Sequence, residues 1–368
     1  MRFAFDDGQQ ALKESARRFL TEQAGLSAAR AAMANGSDPA LWQRISEELG
    51  WPALILPEAH GGFGMGYVEL VALIEEMGAV LLCTPFFSTV CLAANAIMLC
   101  GSAEQQARWL PAIAEGGTAA LGLSAGVTAT PAAGGWRLVG RSVRIVDGLT
   151  ADRLLVVAAE PDGTRRVFAL SQPQRTGRKT LDGTRPMADL DIDEVVSAAD
   201  RLPIPDLDAV LDRARIALSA EQVGGAEACL SMAVEYAGIR QQFGRPIGSF
   251  QAIKHMCADM LLKVESARSA CYHAGWAVDH APEEVHLAAA TAASCCGDAF
   301  FSCAGENIQI HGGIGFTWEH DAHLFFKRAR VSRDLLGSPS DARERIAAVL
   351  LGAPQCSSAR RSDTSRSP

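Results

Sequence analysis

The sequence lacks most of the signals by which a function is usually recognised. Among its 368 residues no two cysteines stand as C-x-x-C, although there are ten of them. Most fall in apolar stretches, so reduced, buried thiols in a cytoplasmic protein are expected rather than a disulfide framework or a metal centre. No window approaches the ~20 predominantly apolar residues that span a bilayer. The N-terminus, MRFAFDDGQQALKESARRFL, carries charges where a secretion signal would have its apolar core. A membrane is therefore not an expected partner. Basic residues are in deficit too: 34 Lys and Arg against 42 Asp and Glu give a formal charge of −8. Nucleic-acid binders normally carry a basic face, so no nucleic-acid partner is expected either. Charged residues make up only 21% and apolar ones 48%, which excludes general disorder and permits a substantial core.

Several chemical motifs are missing as well. There is no G-x-x-x-x-G-K-[ST], no H-E-x-x-H and no G-x-S-x-G, and the eight histidines show no ligand spacing on one helix face. HGGFGMG, after the apolar run ALIL, resembles a dinucleotide loop for two glycines only. Its third glycine position is Tyr67, and the flanking strand–turn–helix context is absent. No internal repeat or coiled-coil heptad is present.

What the chain does have is a change of rhythm, twice. Residues 1 to about 112 follow a helical period: Asp6 or Asp7 can cap a first helix carrying Leu12, Phe19 and Leu20 on one face. Between about 113 and 206, short runs such as GWRLVG, VRIVDG, DRLLVVAAE and RRVFALS are separated by AAGG, EPDG and RTGR, which is strand and turn chemistry. Long helical patterns return over 207–352, the first interrupted at Gly224 and Gly225, and small residues crowd them. A polar tail, 353–368, is expected to be disordered. The expected class is α+β: an N-terminal helical domain, a middle β domain and a C-terminal helical bundle.

Two segments are more informative. RQQFGRPIGSFQ, from Arg240 to Gln251, spans the end of one long helix, a turn and the start of the next. QIHGGIGF, from Gln309 to Phe316, ends a helix in closely spaced glycines. Arg240 offers a forked cation suited to phosphate, and amides around Gly312 and Gly313 can approach an anion with no Cβ in the way. Taken singly, either segment could be a surface charge or a helix end.

Together, with the three-region order, they resemble the acyl-CoA dehydrogenase family over roughly residues 5–350. WPALILPEAHGGFGMGYVELVALIEEMG is similar to that family's N-terminal helical domain. The resemblance implies a helical domain, a β-barrel domain and a four-helix bundle, assembled as dimers or dimers of dimers. It implies FAD as cofactor, an acyl-CoA as substrate and an electron-transfer flavoprotein as redox partner. The flavin of such proteins lies across a subunit interface. The resemblance assigns Arg240, Phe243, Phe250, Gln251, Gln309, Gly312 and Gly313 to the ADP portion of a neighbour's FAD, and Arg215 to the substrate.

The chemistry such proteins perform needs a glutamate to take the α-proton of the thioester, in one of two places. Here those positions fall on Leu336, in DLLGS, and on Ala214, before Arg215. Neither can accept a proton, and Asp334 could serve only with a rearranged backbone. The flavin-contacting loop corresponds to Leu123–Pro131, and the following strand reads RIVDG, so Arg144 replaces a flavin-stacking aromatic and Val146 a hydroxyl. No catalytic residue is assigned. The expectation is a non-catalytic subunit that completes the FAD site of a base-bearing paralogue in an α2β2 acyl-CoA dehydrogenase. By analogy with actinobacterial steroid-degrading enzymes, the substrate would be a bulky polycyclic acyl-CoA. A flavin-dependent monooxygenase on the same fold, or a flavin-free scaffold subunit, are the alternatives.

Overall fold

Asp6 begins the first helix: its carboxylate accepts from the Gln9 N–H at 2.8 Å while the Gln9 side chain accepts from the Asp6 N–H, a reciprocal cap. The computed structural model describes residues 5–352; Cys356 and the tail expected over 353–368 lie outside the described residues. Six helices open the fold: α1 (Asp7–Gln23), α2 (Leu26–Asn35), α3 (Pro39–Glu47), α4 (Tyr67–Ala79), α5 (Asn95–Cys100) and α6 (Ala103–Ala114). The stretch Phe87–Ala94, leading into α5, is wound as a π-helix. There Thr89 Oγ1 donates to the Ala119 carbonyl and accepts from the Ala119 N–H, so this segment pins the first strand.

The middle of the chain is a curled seven-stranded sheet made of β1 (Ala119–Gly122), β2 (Val127–Ala132), β3 (Gly135–Val146), β4 (Arg153–Ala159), β5 (Arg165–Leu170), β6 (Gln174–Arg178) and β7 (Met187–Ser197). Strand order is β1-β4-β2-β3-β7-β6, with β5 on the other edge of β4. GWRLVG and VRIVDG, which read as two short runs, belong largely to one long strand, β3. Ser142 pairs with Leu190 and Ile145 with Ala188, so Val143 and Arg144 together face only Asp189. That β-bulge puts Arg144 at φ 60.

Long helices complete the fold: α7 (Leu207–Ile239), α8 (Gln251–His280), α9 (Val285–His311), α10 (Ala322–Ser332) and α11 (Pro339–Leu351). A short hairpin, β8 (Gln241–Gln242) with β9 (Arg245–Pro246), joins α7 to α8. The expected interruption at Gly224 and Gly225 is absent, and α7 runs unbroken for 33 residues. The glycines serve packing instead. A Cβ on Gly224 would sit 1.8 Å from the Glu75 carbonyl oxygen on α4, and one on Gly78 would sit 2.1 Å from that of Glu221 on α7. Backbones therefore touch where α4 crosses α7, which only glycine permits. A Cβ on Gly225 would strike the Phe300 ring of α9 at 2.5 Å.

A second expectation also needs correcting. The segment Pro282–Phe316 is long and apolar enough by composition to cross a membrane, its most apolar 18-residue window having a mean hydropathy of 1.3. It is the central helix of the bundle: α9 packs against α7, α8, α10 and α11, and 61% of its most apolar window is buried inside the fold. Its apolarity is that of a core helix surrounded by other helices.

Ion networks tie the layers. Glu75 on α4 accepts from Tyr272 Oη at 2.5 Å and from Arg268 Nε at 3.1 Å, both on α8, and pairs with Lys13 of α1 at 2.8 Å. A deeper cluster joins sheet and bundle. Arg328, fully buried on α10, donates to Asp182 at 2.6 Å and to Thr184, and pairs with Glu221, which also meets Arg185.

Candidate functional site

Helices α7 and α9 run in the same direction and end side by side. Tyr236, one turn before the end of α7, stacks on His311, the last residue of α9, with ring centroids 4.3 Å apart. Ala237, Ile247 and Ile310 share the apolar cluster beneath them. Two motifs separated by some 60 residues in sequence are thereby held at one end of the bundle, where α8 begins.

Each motif has a specific local geometry. Arg240 leaves the helix at φ −72, ψ 124, its N–H donating to the Tyr236 carbonyl at 2.9 Å. Its carbonyl accepts from the Ile247 N–H at 2.8 Å, closing the loop. Among the described residues the Arg240 guanidinium has no carboxylate partner. The hairpin turns at Phe243 and Gly244, both at positive φ (53 and 77), as a tight two-residue hairpin turn requires. A phenylalanine there is strained, and Phe243 is also 91% exposed. Its ring makes an edge contact with Phe250, which in turn lies under the Arg245 guanidinium at 4.2 Å. Phe250 caps α8, and the exposed Gln251 begins it.

At the end of α9, Gln309 is exposed and Gly312 turns the chain at φ 65. A Cβ on Gly313 would meet nothing within 4 Å, and its φ is not in the left-handed region. Nothing within the chain requires glycine there, whereas a ligand backed against the loop would. An unpaired guanidinium and an open glycine turn at the same end of the bundle suit an anion such as a diphosphate.

A second feature lies about the sheet. A cleft of about 500 Å³ is bounded by Leu121 and Ser124 at the end of β1, by Arg144 and Val146 of β3, and by Asp334 and Leu336 beyond α10. Arg144, not an aromatic ring, projects from the bulge. Ser124 Oγ accepts from the Val143 N–H at 3.1 Å and donates to Ser142 Oγ, locking the loop to the bulge. Asp334 is paired with Arg330.

The two positions expected for a base are physically linked. Ala214 is fully buried in α7. Its neighbour Arg215 donates through Nε to the Leu336 carbonyl at 3.1 Å and through Nη1 to Asp212 at 2.8 Å. Asp212 also binds His286 at 2.7 Å and Arg345 at 3.2 Å. Arg215 is thus engaged by its own chain, joining α7 to the Asp334–Ser338 stretch. Alanine and leucine stand at the two positions expected for a base, and among the described residues Asp334 is the one carboxylate lining the cleft.

Sequence reasoning missed the buried charges behind this cleft, since Arg328 lies 146 residues from Asp182 and 107 from Glu221. Glu221 is held by two arginines and does not reach the cleft wall. Asp147, also buried, accepts from Ser88 Oγ at 2.6 Å, and burial pushes its carboxyl up to about 6.

A helical domain, a curled sheet and a helical bundle together make a three-part α+β fold. Residues 6–117 match the acyl-CoA dehydrogenase N-terminal domain and residues 206–351 the acyl-CoA dehydrogenase C-terminal domain. The chain belongs to the acyl-CoA dehydrogenase family. It is 37% identical to acyl-CoA dehydrogenase IpdE2 of Mycobacterium tuberculosis over 348 residues, 94% of this chain and 98% of that protein. With acyl-CoA dehydrogenase IpdE2 of Mycolicibacterium smegmatis the identity is 34%, over 92% and 97%. Among solved structures, the ChsE4–ChsE5 complex of M. tuberculosis superimposes with a TM-score of 0.90 at 28% identity, covering 96% of this chain and 100% of that one. The Tcur3481–Tcur3483 steroid ACAD gives 0.86 at 29%, covering 94% and 98%.

Proposed function

We propose that this chain is the complementing, base-lacking subunit of a heteromeric FAD-dependent acyl-CoA dehydrogenase. The observation that carries this reading is an asymmetry between its two sites. The bundle end brings together groups suited to a diphosphate and a nucleotide: Arg240, Phe243, Phe250, Gln251, Gln309, Gly312 and Gly313. Leu336 on the wall of the chain's own cleft and Ala214, buried in α7, stand where the family resemblance places a base, and the Arg144 guanidinium stands where a flavin ring would stack.

FAD, when bound, supplies the acceptor for the β-hydride of the acyl thioester. The residues of this chain bind and orient. Arg240 neutralises a phosphate, the glycine turn at Gly312 and Gly313 lets the diphosphate approach the backbone with no Cβ in the way, and Phe243 and Phe250 give it an apolar wall. Proton abstraction falls to the glutamate of a paralogous partner. Exposed apolar side chains on the bundle, among them Ile239, Leu262, Phe316 and Trp318, suit a face covered by that partner. Two structural neighbours, the ChsE4–ChsE5 complex and the Tcur3481–Tcur3483 steroid ACAD, pair two different chains, which supports a paralogue as partner. A polycyclic acyl-CoA substrate and electron transfer to an electron-transfer flavoprotein complete the reading. A monooxygenase on this fold would need an intact flavin pocket, which Arg144 disfavours.

Co-expression with a base-bearing acyl-CoA dehydrogenase from the same genome tests the assignment. The complex should oxidise acyl-CoA while this chain alone does not. Dehydrogenation by this chain alone would refute it.

A further inference from the structure

The cleft left without a base is not a neutral hollow. Four cations line it: Arg144, Arg178, Lys179 and Arg330. Two are compensated, since Arg178 holds Asp189 with bonds of 2.6 and 2.9 Å and Arg330 pairs with Asp334. The Arg178 hydrogen bonds, with burial opposing, hold the Asp189 carboxyl down at about 2, so it is a spent countercharge. Arg144 and Lys179 have no side-chain partner among the described residues. They reach the cleft from opposite sides of one strand: Arg144 sits in the bulge of β3, Lys179 directly follows β6, and both strands flank β7 near Asp189.

The bulge itself indicates purpose. Arg144 is held at φ 60, in the left-handed region that a non-glycine residue adopts only under strain. Its N–H donates to Asp189 Oδ1 at 3.0 Å, fixing the turn that aims its side chain at the cleft. Glycine would relieve the strain, yet the residue is arginine. Behind the cations the walls are apolar, formed by Leu92, Leu121, Leu123, Leu335 and Leu336.

We propose that this cleft binds an amphipathic organic anion, a carboxylate head held by Arg144 and Lys179 and an apolar body laid against Leu92, Leu121 and Leu336. A volume of about 500 Å³ suits a small organic ligand. The inference concerns this chain's own cleft and does not depend on the partner or on the shared flavin site.

Isothermal titration calorimetry of the full chain with dodecanoate at low salt tests it. Saturable binding is expected, weakened about tenfold by Arg144→Gly and again by Lys179→Ala, as for loss of charge-assisted hydrogen bonds. Arg137→Ala, an exposed arginine of the same strand outside the cleft, should leave binding unchanged. Arg144→Gly removes backbone strain, so its melting temperature should hold or rise, separating lost binding from lost fold. The proposal is overturned if dodecanoate does not bind, or binds equally well to both variants. Equal affinity for methyl dodecanoate would also overturn it, as would binding of coenzyme A alone, which would replace the carboxylate by a phosphate.

Discussion

Replacing Asp147 by asparagine will stabilise the protein at neutral pH and do little near pH ~4. Asp147 is buried beneath the sheet, its carboxylate accepting from Ser88 Oγ at 2.6 Å. Burial raises the carboxyl from its ordinary 3.8 to about 6, against the pull of Ser88, Arg185 and Arg328. The folded chain therefore keeps a proton that the unfolded chain releases between those values. Stability is full below the unfolded value, falls as pH rises through about 6, and is level above. At ~1.4 kcal/mol per pH unit the gap corresponds to about 3 kcal/mol, and relaxation around the charge brings the expected gain to about 1–3 kcal/mol. Asparagine keeps an acceptor for Ser88 and tolerates the φ of 54 at this position. Melting temperatures of both proteins measured from pH ~4 to ~8 should diverge as pH rises, the variant standing a few degrees higher at the top. A difference that does not change with pH would refute the reasoning.

Three further substitutions probe the account. Gly224→Ala forces a methyl to within 1.8 Å of the Glu75 carbonyl, so it should separate α4 from α7 and cost about 3 kcal/mol or more, measurable by urea denaturation. Arg328→Ala leaves Asp182 and Glu221 short of a buried countercharge, and a loss of about 3–5 kcal/mol is expected from the same assay. Arg240→Ala removes an exposed guanidinium that no carboxylate engages. It should leave the melting temperature of the isolated chain unchanged while FAD escapes from the complex faster on dilution.

The order of helical, β and helical regions was legible because each has its own period, and Asp6 caps α1 as its position implies. The two motif segments were legible because their residues are local: Arg240 with Phe243, and Gln309 with Gly313. What could not be read came from contacts across the chain. Gly224 looks like a break within α7 and becomes a close approach only once Glu75 of α4 lies against it. The apolarity of α9 is ambiguous until four helices are seen to surround it. Arg144 read as a replacement for a flavin-stacking aromatic, whereas a bulge opposite Asp189 makes it part of the rim of a cleft. Arg328 gave no signal at all, since its partners lie over 100 residues away.

Flavin stoichiometry tests the central claim most directly. Co-purification with a base-bearing paralogue, followed by native mass and flavin absorbance, should give a yellow α2β2 complex with about one FAD for every two chains. A stable yellow homomer of this chain, carrying one FAD per subunit and oxidising acyl-CoA alone, would contradict it.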